Sequence, residues 1–445
     1  MSSGAQIVPR SLYNEAVRPI LYALAAATFG CSPFGGGAFT CTEDLQCTRG
    51  GTAGTCQPNG YCSFLDDSCP SGQRYGDSSG GLGGVCVGDE PPADARPDTS
   101  TTAACVIGGL DLCDQTPLPP IQITASETIN TDTDPRCVTF AQAGGGEACL
   151  VYATEVSIGV GATVSAIGTR PLIIASAASL TVGGELDVSS RRGAQTGAAA
   201  NDSTCTIKRE SENDLGGAAG AAGGSFRGKG GDGGDGDTDN SLPNGPASDG
   251  NAQKGEASDA IAAVPAFARG GCRGANGGNE TGPGGGNGGA GGAGGGAAWL
   301  VANDVIEVSG AIRATGAGGA GGGDQSGGGG GGSGGFLKLA ATTLTISGSI
   351  SANGGGGGEG GCNCSGVETP GNPGADGLPG TAAAGGGAGA SGPGGDGGSS
   401  GATSPLEGQN GSSSEVGSGG GGGGAGFIVL VGNATVTGVV SPPAQ

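Results

Sequence analysis

The residues of this chain best placed to do chemistry are four carboxylates in residues 231–240, namely Asp232, Asp235, Asp237 and Asp239. Carboxylates this close repel one another unless a hard cation bridges them, and calcium loops draw their oxygen ligands from such alternating acids. The ligand set is incomplete, because the twelfth position, where a calcium loop carries a bidentate acid, is Pro246. A calcium site and a solvated acidic loop therefore remain alternative readings of the same stretch.

Two further groups resemble the clustered acids and bases that β-helix polysaccharide lyases and hydrolases place on one face. Asp187 lies beside Arg191 and Arg192, and Glu307 lies near Arg313. Their spacing is that of charges alternating outward into solvent rather than of a converging pair. The sequence contains no histidine, which removes the commonest general base, the imidazole metal ligand and every Ser-His or Cys-His nucleophile. Aromatic residues make up 3% of the chain, too few to supply many sugar-stacking platforms. The glycine runs lack the following helix and Lys-Ser/Thr pair that a phosphate cradle needs. A net charge of −22 repels nucleic acid and anionic lipid and favours cations or basic partners.

Fifteen cysteines, with no Cys-x-x-Cys pair, point to disulfides and an oxidising compartment rather than to metal. Cys41, Cys47, Cys56, Cys62, Cys69 and Cys86 form a compact module. Three bridges there, at about 2–4 kcal/mol each, can hold a fold with almost no core, and the sequence leaves every pairing open. Cys105 with Cys113, and Cys137 with Cys149, bracket short loops suited to local bridges. Cys205, Cys272, Cys362 and Cys364 fall in glycine-rich segments and are expected to staple them. Only Asn363 separates Cys362 from Cys364, too close for an easy mutual bridge, so each is expected to reach a different partner.

Arg10 and Arg18 precede an apolar run at 20–29 and then Gly30-Cys31, the layout of a bacterial export signal. Ala25, Ala26 and Ala27 suit ordinary signal cleavage. Residues 28–31 suit instead a degenerate lipoprotein box in which Cys31 is acylated, leaving an even number of cysteines to pair. No later segment has the ~18 apolar residues of a membrane span. The expected organisation is a signal at 1–30, a disulfide module at 31–87, an acidic proline-bearing linker at 88–104, and a β-rich region at 105–445.

The elements that must position these residues are thin. Glycine supplies 108 of 445 residues, beside one Met and one Trp, so few large side chains exist to bury and ordering the backbone is entropically costly. Short β-branched segments recur at 121–124, 150–152, 156–160, 163–167 and 172–174, separated by turn formers. A repeat emerges once the glycine runs are set aside. Residues 297–312 and 336–350 superpose without a gap, residues 427–440 follow after one deletion, and residues 172–186 supply a fourth copy.

Each copy reads as three short strands, with Ile306, Val308 and Ile312 inward and Glu307 and Ser309 outward. One copy cannot bury its apolar face alone, but stacked copies can. The expected fold is all-β: a parallel β-helix-like solenoid with glycine-rich inserts and a small N-terminal disulfide-rich module. An antiparallel β-sandwich is the alternative. The glycine runs at 216–236, 277–296, 316–335, 354–361, 371–401 and 417–426 should leave the stack on one side. They form either packed polyglycine-II-like helices of three residues per turn or disordered loops.

Residues 345–353 and the cysteine stretch 62–77 give the chain its resemblance to glycine-rich exported lipoproteins of Gram-negative bacteria that carry an N-terminal cysteine-rich module. More distantly, the glycine runs are similar to those of mycobacterial surface proteins with polymorphic glycine-rich repeats, without the N-terminal domain typical of them. The resemblance covers nearly the whole chain and implies an outer-membrane, cell-surface or secreted location, with no catalytic residues to carry over. The expected function is a structural or adhesive surface protein without catalytic activity or cofactor. Its partners would be cell-surface or matrix components, polysaccharide among them. Nucleic acid is not expected, and a membrane only through lipid on Cys31. The alternatives are a carbohydrate-active β-helix enzyme and a calcium-binding or other flat-surface binding module.

Overall fold

Most strands in this chain are short because glycine and turn formers interrupt the apolar runs, so those of the main body gain stability by pairing with strands distant in sequence. The computed structural model describes residues 40–79, 82–88, 105–236, 252–282, 285–364, 366–389, 407–410 and 416–445. The chain divides into two compact units, 1–98 and 99–445.

In the first unit β1 (Thr48–Arg49) pairs with β2 (Thr52–Ala53), while β3 (Thr55–Cys56), β4 (Cys62–Leu65) and β5 (Gln73–Tyr75) form an antiparallel sheet. Its core is largely sulfur, with Cys41, Cys47 and Cys62 buried against Cys56 and Phe64. Bridges join Cys41 to Cys56, Cys47 to Cys62 and Cys69 to Cys86. These cross-links do the work that burial of apolar surface does in larger domains.

The second unit opens with the hairpin β6 (Val106–Ile107) and β7 (Leu110–Asp111). Its main body is three sets of parallel pairings. In the first, β11 (Glu147–Ala153), β14 (Leu172–Ser176), β17 (Ala297–Ala302) and the first halves of β20 (Phe336–Ile346) and β24 (Phe427–Val436) lie side by side. In the second, β8 (Ile121–Ile123), β12 (Val156–Ile158), β15 (Ser179–Val182) and β18 (Val305–Val308) lead to the second halves of β20 and β24. In the third, β9 (Glu127–Asn130), β13 (Thr163–Ile167), β16 (Glu185–Asp187), β19 (Ala311–Arg313), β21 (Ser349–Ser351) and β25 (Val439–Ser441) follow one another.

Only β10 (Val138–Ala141), at the edge of the first set, runs antiparallel, against β11. The repeat copies thus meet strand for strand and in parallel, and within these sets the antiparallel pairing that a sandwich requires is confined to the β10–β11 hairpin. The expectation of a gapless match between 297–312 and 336–350 is corrected. Ala297 faces Phe336 but Val305 faces Thr343, so the earlier copy has one residue more. The surplus lies at the turn of Asn303 and Asp304, where β20 instead runs on unbroken and Thr343 N donates to the Asp304 carbonyl at 2.9 Å.

Side chains from all three sets converge on one narrow core. Val151, Leu180, Leu186, Leu300, Ile306, Val308, Ile312, Leu344 and Ile350 are all buried in it. Glu307 and Ser309 stay exposed, as the two-residue period requires. The first set is buried on its other face as well. Ile173, Trp299, Phe336 and Phe427 pack there with Ile107 and Leu110 of the hairpin and with Phe226 from a glycine-rich segment. All five residues of β14 and all six of β17 are therefore buried.

The described glycine-rich residues are ordered by backbone hydrogen bonds at every third residue. Gly328, Gly331 and Gly334 donate to the carbonyls of Ser418, Gly421 and Gly424, while Gly329, Gly332 and Gly335 donate to Ala320, Ala317 and Ala314. Gly327, Gly330 and Ser333 donate to Gly278, Ala275 and Cys272. The carbonyls of 325–333 accept in the same rhythm from segments 218–224, 289–295 and 355–361. Residues 326–335 thus have six separate neighbours, three taking their N–H groups and three their C=O groups. A Cβ on Gly330 would sit 1.9 Å from the Ala222 carbonyl oxygen, so no larger residue fits at this position.

Candidate functional site

Of the aspartate loop, Asp232 and Asp235 belong to the described residues, and Asp237 and Asp239 lie outside them. Asp232 accepts the Ala257 N–H at 2.9 Å and pairs with Lys229 at 3.4 Å. Asp235 accepts the Lys254 N–H at 3.2 Å, and its own N–H donates to Asn410 Oδ1 at 2.8 Å. Both carboxylates thus join neighbouring glycine-rich segments to one another. Cys31 and the segment expected to be an export signal likewise lie outside the described residues.

The second pair of candidates separates. Asp187 is 1% exposed, not outward in solvent as its place in the strand suggested. It forms an ion pair with Arg191 at 2.7 Å and accepts the Ser189 N–H at 2.9 Å. Burial and a paired guanidinium make it an anchor for the turn after β16. Arg192 does not join that pair, and its backbone N–H donates to Asp376 Oδ1 at 3.0 Å. Arg313 pairs with Glu185 at 3.1 Å rather than with Glu307, which is exposed.

The predicted cysteines are all bridged among the described residues. Cys105 joins Cys113, Cys137 joins Cys149, and Cys205 joins Cys272 across 67 residues. The expectation for Cys362 and Cys364 is corrected, because they bridge to each other. Residues two apart in a strand face the same side, and β22 (Cys362–Cys364), paired with β23 (Val367–Thr369), brings their Cα atoms to 5.2 Å. Seven disulfides mark an oxidising environment, and no helix of the described residues is long and apolar enough to cross a membrane.

One concavity among the described residues was not anticipated from sequence. A groove of about 720 Å³ is lined by Gln142, Glu147, Thr169, Arg170, Thr196 and Asn201, with Phe267 and Arg269 also on its wall. A second hollow of about 330 Å³ continues from Asn201 and Asp202 to Arg273 and Asn276. Between them the backbone takes the left-handed conformation at two non-glycine residues, Ala199 (φ 57°) and Asn201 (φ 61°). Such backbone is costly unless its surroundings fix it. Here Ala199 N donates to the Gly168 carbonyl at 2.9 Å, Asn201 N to Gly271 at 3.0 Å, and Asn201 Oδ1 accepts the Gly294 N–H at 2.9 Å.

Arg170, Arg269 and Asp202 are engaged by the protein, whereas the Glu147 carboxylate is exposed. Arg170 donates to Thr139 Oγ1 at 2.9 Å and to the Thr131 carbonyl, and lies 3.7 Å from Asp132. Burial raises the Asp132 pKa, but hydrogen bonds from Thr169 and the Arg170 charge outweigh it and hold the carboxyl below its ordinary range. Arg269 lies 3.6 Å from Asp202 and over the Phe226 ring at 5.2 Å. The lining that remains is one carboxylate, hydroxyls, amides and backbone, with one aromatic wall. Such a surface offers hydrogen-bond donors and acceptors to a polar ligand. Only the tolerance of asparagine for left-handed backbone hinted at this turn in the sequence.

Comparison with protein-family models, with curated proteins and with solved structures returns no match.

Proposed function

We propose that this chain is an exported structural or adhesive protein of the cell surface, without catalytic activity. In this reading the three parallel sets are the faces of one β-helix-like solenoid. The glycine-rich segments form a polyglycine-II-like bundle laid against one face. One observation carries the reading: residues 326–335 are hydrogen-bonded to six neighbouring segments. A body cross-linked in every lateral direction, with bridges added, resists local opening and suits a load-bearing or surface-presenting role.

The groove around Asn201 supports polysaccharide as the partner, bound through hydroxyl and amide contacts. The test is incubation of the purified, disulfide-intact protein with a panel of acidic and neutral surface polysaccharides, with binding and fragment release both followed. Retention of at least one polysaccharide without fragments is expected, together with labelling of the chain on intact cells by a non-permeant reagent. Release of oligosaccharides would replace this reading by the carbohydrate-active one.

A further inference from the structure

The two ends of the parallel sets differ in what covers them. At one end β10 lies antiparallel against β11, the Cys137–Cys149 bridge fastens it, and charges line the exit. There Arg136 pairs with Glu127 at 2.6 Å and with Asp134 at 2.8 Å. An added strand, a bridge and inward charges are the devices by which natural sheets block edge-to-edge pairing.

Among the described residues the other end has none of them. β24 pairs through one edge with β20. Its other edge is met by Gln445, which donates to the Ile428 carbonyl at 2.9 Å and accepts from Leu430 N at 3.2 Å. Beyond that point residues 431–436 are exposed. Val431 and Val436 are each 44% exposed and Val439 43%. Val436 holds the register position of Ile346, which is fully buried in the preceding copy. The core therefore surfaces here, where Leu430 and Val440 are only partly covered.

Charge selects the occupant. The chain carries −22 overall, yet residues 427–445 contain no Asp, Glu, Lys or Arg. Two copies repel through most of their surfaces, whereas this neutral edge lets them approach, and an identical strand run antiparallel matches it donor for acceptor. We propose that the open edge of β24 is a self-association surface, on which a second copy of this chain adds its own β24 about a twofold axis. The contact is isologous, so it closes at two copies and buries the exposed end of both cores.

Sedimentation velocity and light scattering on the full, disulfide-intact chain test this, at concentrations up to ~0.2 mM, where weak contacts register. A dimer is expected, tightening as salt rises to ~0.5 M because repulsion between the acidic copies is screened. Val436→Asp and Thr435→Asp each place like charges across the contact and should weaken dimerisation at least about tenfold. Thr435 occupies the outward row with the exposed Thr345, so its variant keeps the core intact if Val436→Asp misfolds. A monomer across the whole range, or dimers that both variants leave unchanged, overturns the proposal.

Discussion

Phe226 stands edge-on to Phe427, with ring centroids 5.0 Å apart and planes at 87°. One ring belongs to a glycine-rich segment and the other opens β24, and both are fully buried. In a chain with so few aromatics this contact ties the glycine-rich layer to the strands, since edge-to-face geometry adds to what burial already contributes. Replacing Phe226 by Ala removes the ring from both layers at once. Equilibrium urea denaturation should show a loss of about 3–5 kcal/mol, the range of large-to-small core truncations. A loss no greater than that of a surface variant would mean the layers are held by backbone hydrogen bonds alone.

The glycine bundle makes a positional prediction. Gly330→Ala drives a methyl group onto the Ala222 carbonyl oxygen, at 1.9 Å. Backbone on both sides cannot yield, so the variant should lose at least about 3 kcal/mol or fail to fold. Gly385→Ala meets nothing within 4 Å and should lie within about 0.5 kcal/mol of the parent or gain slightly from a less flexible unfolded chain. Melting temperatures of the two variants, measured together, check the contrast.

The bridges should contribute unequally. Cys205–Cys272 closes 67 residues and Cys362–Cys364 only two. On the chain-entropy account their removal costs about 4 and about 1 kcal/mol respectively. Paired alanine variants compared by denaturant unfolding test the ordering, and equal losses would show that native contacts around the bridges outweigh loop closure.

Asp66 gives the first unit an acid-sensitive contact. Hydrogen bonds from the Ser68 side chain, then from Arg74 and the Ser68 backbone, hold its carboxyl down to about 2. Arg74 Nε lies 2.6 Å from Asp66 and Ser68 Oγ 2.5 Å away. Because the folded value lies below the unfolded one, near ~3.9, the contribution is complete above that pH and fades as pH falls through about 2. Carbon-detected titration should find this low midpoint, and Ser68→Ala should move it upward toward the ordinary carboxylate range.

By itself the sequence determined composition-level and local facts. Cysteine number without histidine implied bridges, and the alternation around Ile306 and Val308 implied which side chains face inward, because both depend only on residue type and a two-residue period. The copies could be matched because each repeats the same short pattern. Tertiary structure alone decided that Cys362 pairs with Cys364, that Asp187 is buried on Arg191, and that 326–335 occupies the centre of the bundle. Bridging depends on how closely β22 brings the two Cα atoms, 5.2 Å apart. Burial of Asp187 depends on the turn that follows β16 and carries Arg191 back over it. A glycine run carries no side-chain pattern to mark its neighbours, so its six partners are selected only when whole segments pack and every third N–H meets a carbonyl.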